Sequence, residues 1–206
     1  MEALHRLANF LARSSRGSAR RLEAYVEART KCIRILPPGR PRGQAVIFYL
    51  VEPWRHPATR ETHYHTNRWE CATMVDTLLE GGYAVDVVDY DARYYRPHPE
   101  CAIAIDTEHS FGLFGDQLPA ACQKIYHAPT THWLHWNHAE LRRLLAIQTR
   151  RGVALKSRRQ LPPNPGIELA NLGSYVGNKF TGDTYAFAGK PMHRIPISTV
   201  TREDTY

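Results

Sequence analysis

The sequence contains no long apolar run. No stretch of its 206 residues reaches the roughly 18 consecutive apolar residues that a membrane-spanning helix needs. The N-terminus also has no contiguous apolar core of the secretory type, because its leucines are spaced along a basic segment. An apolar fraction of 43% is ordinary for a globular protein. We therefore expect a cytoplasmic protein with one sizeable domain.

The sequence is also poor in cysteine and lacks several catalytic signatures. Cys32, Cys71, Cys101 and Cys122 lie far apart and form no CxxC pair, which favours buried free thiols over a disulfide or zinc framework. There is no P-loop, no GxSxG elbow, and no GxGxxG after a predicted strand, so these phosphate-binding and hydrolase fingerprints are absent. Nucleophilic catalysis by a Cys–His pair stays open, although each cysteine is explained more simply as buried.

The net charge of +7 is confined to the N-terminal segment. Residues 1–43 hold ten Lys or Arg and three acids, whereas the remainder holds seventeen residues of each sign. Interrupted helical periodicity favours a helical arm and linker over 1–43 that packs on the body; the alternative is a basic amphipathic segment resting on anionic lipid. A neutral body argues against specific nucleic-acid binding. We place the compact domain at 44–206.

A strand–helix–strand unit follows the arm. A continuous apolar run over 44–51 predicts a buried strand, and Asn67 followed by Glu70 matches the capping box that opens a helix. Gly81-Gly82 ends that helix, and 83–89 predicts a second strand. A crossover of this kind joins parallel strands.

Similar patterns continue along the rest of the chain. Further strands are predicted at 101–106, 123–127, 153–155, 172–176 and 191–197, the last as an edge strand, and helices at 116–121, 133–151, 167–170 and 183–188. In the longest helix, Leu134, Leu141, Leu144 and Leu145 suit a buried stripe. We therefore predict an α/β fold, a Rossmann-like and mostly parallel sheet flanked by helices, with an N-terminal helical arm.

Polar side chains cluster near four of the predicted strand ends. The clusters are His63, His65, Thr66 and Asn67; Asp106, Glu108 and His109; His127, Thr130, Thr131 and His132; and Gly177, Asn178 and Thr181. Parallel sheets bind ligands at the carboxyl ends of their strands, so the four clusters predict one crevice. Of two nearby aspartates, Asp86 is predicted to face outward, and Asp89 to lie nearer the site or to form a turn.

Regularly spaced histidines raise the question of a metal site. His132, His135 and His138 can share one helix face, and His63 with His65 forms an HxH pair. Tryptophans are interleaved with the first set and no acid lies between its members, so capping and surface histidines are favoured. We predict no metal and no tightly bound cofactor.

Several motifs, taken in their order along the chain, resemble a known family. They are His65-Thr66-Asn67-Arg68-Trp69-Glu70, Gly82-Tyr83-Ala84-Val85-Asp86, Thr131-His132-Trp133, Arg159-Gln160-Leu161-Pro162-Pro163-Asn164, and Gly177-Asn178-Lys179-Phe180-Thr181 running into Lys190-Pro191 and Arg194-Ile195-Pro196. Over about 44–198 the chain resembles the N-terminal half of GT-B glycosyltransferases of the large group-1 family. Members of that family have two Rossmann-like domains facing a cleft. The N-terminal domain mainly holds the acceptor, and the C-terminal domain binds the nucleotide-sugar.

The resemblance implies a role for each predicted site residue. His132 and His127 would be catalytic, His65, Asn67, Glu70 and His109 would contact the acceptor, and Asn178 and Thr181 would approach the donor. Sugar transfer develops positive charge on the sugar and negative charge on the leaving phosphate. Helix N-termini and neutral hydrogen-bonding side chains stabilise both. Lys179 departs from the acidic residue that is usual in relatives.

The resemblance also sets expectations about partners. The chain reaches Tyr206 soon after its last predicted strand, so the donor-binding domain is expected as a partner chain or as a missing part of a longer protein. A nucleotide-sugar would be the co-substrate and a glycan or lipid the acceptor, with peripheral membrane contact through 1–43. The isolated chain would be inactive or weakly active. The alternative is a non-catalytic sugar- or partner-binding module; a third, less favoured, is a nucleic-acid-associated protein acting through its arm.

Overall fold

The computed structural model of the chain describes residues 17–26, 29–55 and 66–196, and the statements below concern those ranges. A seven-stranded sheet forms its centre. The strands are β1 (Cys32–Ile35), β2 (Gly43–Tyr49), β3 (Tyr83–Asp89), β4 (Cys101–Asp106), β5 (Gln123–Ala128), β6 (Leu172–Val176) and β7 (Met192–Ile195). The predicted strand at 153–155 is wrong, because those residues adopt no regular structure.

Helices follow most of the strands. They are α1 (residues 17–26), α2 (Glu52–Arg55), α3 (Thr66–Glu80), α4 (Ser110–Phe114), α5 (Trp133–Arg151), α6 (Gly166–Leu169) and α7 (Lys179–Asp183). Short 3-10 turns at Gly115–Gln117 and Ala186–Ala188 follow α4 and α7. The helices predicted at 116–121 and 183–188 therefore begin earlier than expected. None of the described helices is both long enough and apolar enough to cross a membrane.

The strand order is β1-β3-β2-β4-β5-β6-β7. All neighbouring pairs are parallel except β1 with β3, which is antiparallel. From β2 the chain crosses through α3 to β3 on one side, and then returns to β4 on the other side of β2. Connections that diverge in this way open a crevice at the carboxyl ends of the two central strands. The predicted mostly parallel, Rossmann-like sheet is confirmed.

Apolar side chains fill both faces of the sheet. On one face Ile47 and Val85 belong to a cluster completed by α3. On the other face Phe48 stacks on Phe114 of α4, with ring centroids 5.5 Å apart, and meets Phe111 edge-on. Successive side chains of a strand point to opposite faces, so a strand buried on both sides is apolar throughout. The continuous apolar runs of the sequence have this cause.

Asp106, the last residue of β4, holds the turn into α4. Its side chain is fully buried, and its two carboxylate oxygens accept the backbone N–H groups of Glu108 at 3.0 Å and Phe111 at 2.7 Å. Burial raises the pKa of Asp106, while these backbone donors oppose the rise. The carboxylate starts α4 at Ser110, earlier than the helix that periodicity predicted.

Strand β1 lies at the edge of the sheet, although the sequence placed these residues in the arm. Arg34 contacts the Asp86 carboxylate through Nε at 2.7 Å and Nη2 at 3.1 Å, and the Tyr95 hydroxyl donates to it at 2.8 Å. Asp86 is only 7% exposed, so the prediction that it faces outward is wrong. A buried carboxylate needs such partners, and here they attach β1 to β3.

The predicted capping box at the start of α3 is wrong. The helix begins at Thr66, so Asn67 lies in its first turn rather than before it. Glu70 turns into the core, where the Tyr49 hydroxyl donates to its Oε2 at 3.2 Å. Gly82, with φ of 82°, follows the helix end as predicted.

Helix α5 has the predicted bounds but not the predicted packing. Leu134, Leu141 and Leu145 are 55%, 46% and 61% exposed, and Glu140 is the one buried residue of the helix. The predicted buried leucine stripe is therefore wrong. Side chains of α5 instead form hydrogen bonds to the segment that follows the helix. The Asn137 side chain both donates to and accepts from the backbone of Leu161.

All four cysteines are free thiols. Burial raises the pKa of Cys71 to about 12 and that of Cys32 to about 11. Cys101 and Cys122 are buried with their sulfurs 3.9 Å apart. Protonated thiols are poor nucleophiles, which argues against Cys–His catalysis through Cys32 or Cys71.

We predict that Arg34→Met destabilises the protein by about 2 kcal/mol, because it leaves the buried Asp86 carboxylate without its bidentate partner. Chemical denaturation measures the free energy of unfolding. The control Arg40→Met changes an exposed loop residue and should cost under about 0.5 kcal/mol. Equal losses in both variants would mean that the pair contributes no specific stability.

Candidate functional site at the carboxyl edge of the sheet

Three adjoining cavities follow the carboxyl edge of the sheet. The α3 cavity, of about 450 Å³, includes Asn67 and Glu108 in its lining. The central cavity, of about 50 Å³, is lined in part by Glu108, Thr131 and His132. The α7 cavity, of about 520 Å³, includes Thr131 and Asn178. Because neighbouring cavities share lining residues, we treat them as one carboxyl-edge crevice.

His132 stands at the centre of this crevice, directly before α5. Its ring is buried, at 4% exposure, and packs edge-on against the rings of Tyr185 and Phe187. The ring Nδ1 accepts the backbone N–H of Leu134 at 3.4 Å. The backbone N–H of His132 donates to the Thr184 hydroxyl at 3.0 Å. Its Nε2 has no hydrogen-bond partner among the described residues. The backbone and ring contacts therefore fix the side chain while leaving one ring nitrogen for a ligand.

The protonation state of His132 follows from its surroundings. Because Nδ1 accepts a hydrogen bond, the neutral ring carries its proton on Nε2. Burial lowers the pKa of His132 below its ordinary value, against a smaller opposing effect of Glu168. At neutral pH the side chain is thus an uncharged hydrogen-bond donor in the wall of the central cavity.

Glu108 is the acid that lines the central cavity together with His132. It lies two residues beyond β4, is half-buried, and lines the α3 cavity as well. Burial raises the pKa of Glu108, with the neighbouring His109 opposing the rise. A carboxylate with a raised pKa accepts a proton more readily than a solvated one. His109 also lines the central cavity, and its side chain makes no capping hydrogen bond to α4.

An ion pair borders the α3 cavity. Arg68 of α3 contacts the carboxylate of Glu52 through Nε at 2.5 Å and Nη2 at 2.6 Å. A bidentate pair of this kind fixes the start of α3 beside the end of β2. Asn67 and Tyr49 line the same cavity, where the Tyr49 hydroxyl is engaged by Glu70.

The α7 cavity is shaped by a helix cap. Asn178 precedes α7, and its Oδ1 accepts the backbone N–H of Thr181 at 3.3 Å. Gly177 allows this turn with φ of 108°, and its carbonyl accepts from Arg194 Nε at 2.7 Å. The Asn178 oxygen therefore has a structural partner already. Lys179, the departure from the family pattern, pairs with Asp183 at 2.7 Å.

His127 and Glu70 lie beneath the crevice. The His127 ring is 1% exposed, with Nδ1 2.8 Å from the Ser174 hydroxyl and Nε2 3.9 Å from Glu70 Oε2. The same Glu70 oxygen accepts from the Tyr49 hydroxyl at 3.2 Å. A row of four polar side chains thus crosses the sheet from Tyr49 to Ser174, one layer below the surface that a ligand would touch.

The structure brings most of the predicted site residues together. His132, His109, Asn67, Asn178 and Thr181 line the crevice, His127 and Glu70 lie under it, and His65 lies outside the described residues. Glu108 was predicted to lie in the crevice, because it follows a strand end, but the sequence assigned it no individual role. The Glu52–Arg68 pair has no sequence signal, because only the fold brings those residues together. Within the described ranges no three His, Cys, Asp or Glu converge on a metal position.

We predict that His132 titrates below 6.5, its ordinary value, in a histidine NMR titration. Because the folded-state pKa is lower than the unfolded one, the unfolded chain binds more protons between the two values. The free energy of unfolding should therefore be highest above about 6.5 and decline as the pH falls toward the folded pKa. His132→Gln should remove this part of the slope, and His193→Gln, an exposed control, should retain it. A titration at or above 6.5 would contradict the assignment.

No family model, curated protein or solved structure matches the chain.

Proposed function

We propose that the chain is the acceptor-side domain of a group-1, GT-B-type glycosyltransferase, which transfers a sugar from a nucleotide-sugar to a glycan or lipid hydroxyl. The observation that carries this proposal is the central cavity, which is lined by both a neutral histidine donor, His132, and an acid of raised pKa, Glu108. The motif resemblance over about 44–198 favours the same reaction class.

Glu108 is the proposed general base. In the transfer step the acceptor oxygen forms a bond to the anomeric carbon, and the bond from that carbon to the donor phosphate breaks. The electron pair leaves with the nucleoside diphosphate, and the hydroxyl proton passes to the Glu108 carboxylate. A half-buried acid with a raised pKa suits this role, because it is a stronger base than solvated glutamate.

His132 and α5 are proposed to stabilise the reacting groups. The Nε2–H of His132 would donate to a hydroxyl of the transferred sugar, which satisfies a donor that has no partner among the described residues. The N-terminus of α5, a helix of 19 residues, carries partial positive charge beside the same cavity. That charge favours the developing negative charge on the leaving phosphate.

His127 and Glu70 are proposed as positioning residues rather than ligand contacts. Their row of polar groups lies under the crevice, and it engages the Tyr49 hydroxyl in the wall of the α3 cavity. The acceptor would lie on the α3 side, near Asn67. Asn178 and Thr181 would face a donor-binding domain supplied by a partner chain.

We expect Glu108→Gln to reduce turnover by roughly 10²- to 10⁴-fold in an enzyme reconstituted with its donor-binding domain, because the proton acceptor is lost. His132→Gln should lower turnover by about ten- to a hundredfold through loss of one hydrogen bond to a charged transition state. Release of nucleoside diphosphate from a panel of nucleotide-sugars measures both effects. Glu80→Gln, an exposed acid at the C-terminal end of α3 and outside the crevice, is the matched control and should leave turnover unchanged.

Binding of a saccharide to the chain alone separates catalysis from simple recognition. NMR shift changes on adding oligosaccharides should map to Glu108, Thr131 and His132. Saccharide binding there with no turnover in the reconstituted enzyme would favour the non-catalytic binding module. Shift changes confined to another surface would overturn the assignment of the crevice.

A further inference from the structure

Helix α5 is amphipathic, yet its apolar side is exposed. At 100° per residue, Leu134, Leu141 and Leu145 point within an arc of about 40°. These three side chains are 46–61% exposed, whereas core leucines of a globular domain are covered. Exposed apolar groups that gather on one helix face in this way indicate a surface that contacts another molecule or a membrane.

The same region is strongly basic. Residues 133–161 hold seven Lys or Arg and one acid, a net charge of +6, so the rest of 44–206 is correspondingly acidic although the total is neutral. Measured about the helix axis from the centre of the leucine arc, Arg142 lies at about 80° and Arg150 at about 160°, so the basic arc begins beside the leucines and continues around the helix. A total charge of zero over 44–206 conceals this separation.

The segment after α5 holds the helix in place and adds to the same surface. Trp136 Nε1 donates to the Arg159 carbonyl, and Asn137 exchanges hydrogen bonds of 2.8 and 2.9 Å with the backbone of Leu161. Val153 and Leu155 of this segment are 49% and 52% exposed. Helix and segment together form what we call the α5 surface, residues 133–161.

We propose that the α5 surface binds anionic lipid membranes, with its leucines among the acyl chains and its arginines at the phosphates. An exposed apolar arc beside a basic arc is the arrangement of helices that lie in the membrane interface. A groove of about 760 Å³ on the basic side, lined in part by Arg142, Arg143 and Phe180, offers room for a lipid headgroup. This contact is independent of the arm at 1–43 and of the proposed transferase activity.

The charge decides between a membrane and the other occupants of an exposed apolar face. Two copies of this chain would bring two surfaces of +6 together, which disfavours self-association through α5. Arginine stems cover apolar surface while their heads reach lipid phosphates, so a bilayer satisfies both groups at once. An acidic protein partner is the competing outcome, and the experiment below distinguishes it.

The test is co-sedimentation of the full chain with phosphatidylcholine vesicles, with and without phosphatidylglycerol. We expect binding only to the anionic vesicles, weakening as salt is added. Arg142→Gln with Arg150→Gln should weaken it roughly twenty-five-fold, at about fivefold for each arginine. Leu141→Ser with Leu145→Ser should weaken it by more than about tenfold. All four side chains are exposed, so these variants should fold.

Matched controls carry the same chemical changes away from α5. Leu113→Ser with Leu169→Ser alters exposed leucines of α4 and α6, and Arg20→Gln with Arg21→Gln alters exposed arginines of α1. Both pairs should leave vesicle binding within twofold of the parent. The proposal would be overturned if the parent chain did not bind anionic vesicles. It would also be overturned if the control pairs lost as much vesicle binding as the α5 pairs, or if only the α1 pair lost binding. The proposal would also be overturned if the chain did not bind vesicles but formed an oligomer, or a complex with an acidic protein, and the α5 leucine substitutions abolished that association.

Discussion

The carboxylate of Asp106 is the contact on which the geometry of the crevice depends. It ends a central strand, is fully buried, and accepts the backbone N–H groups of Glu108 and Phe111. One set of hydrogen bonds thereby places Glu108 in the crevice and starts the helix that carries Phe111 and Phe114 into the core. The position of Glu108 and the packing of the core therefore depend on one buried carboxylate, whose desolvation is offset by backbone donors.

A second group of buried polar contacts fixes the floor and centre of the crevice. His132 is held by a backbone donor and by two aromatic rings, so its Nε2 has a defined position without a protein partner among the described residues. Beneath it, His127 and Glu70 occupy the sheet interior. Burying a polar group costs free energy unless it is hydrogen-bonded. In this region the Nε2 atoms of His132 and His127 are both buried without a hydrogen-bond partner among the described residues.

Charge is distributed unevenly over the body of the protein. The basic residues concentrate on α5 and the segment after it, whereas the crevice lining holds Arg68 and Arg194 as well as Glu52 and Glu108. The exposed leucines of α5 line none of the three crevice cavities, but the groove on its basic side shares Thr131 with the crevice. The proposed membrane contact and the proposed transfer reaction therefore use adjoining surfaces.

The sequence by itself determined the strands from β2 to β7, the bounds of α5 and the polar loops near the strand ends, but it missed β1 and added a strand at 153–155. Apolar runs and capping residues act locally, and the parallel crossover is restricted to one hand, so these features follow from short stretches of chain. Three predictions were wrong for one shared reason. They are that Asp86 faces outward, that Asn67 caps α3, and that the leucines of α5 form a buried stripe. Each depends on a partner distant in sequence: Arg34 for Asp86, Tyr49 for Glu70, and the segment ending at Leu161 for α5. Only the tertiary structure decides which face of a helix or strand is covered, because periodicity gives the direction of a side chain and not the identity of its neighbour.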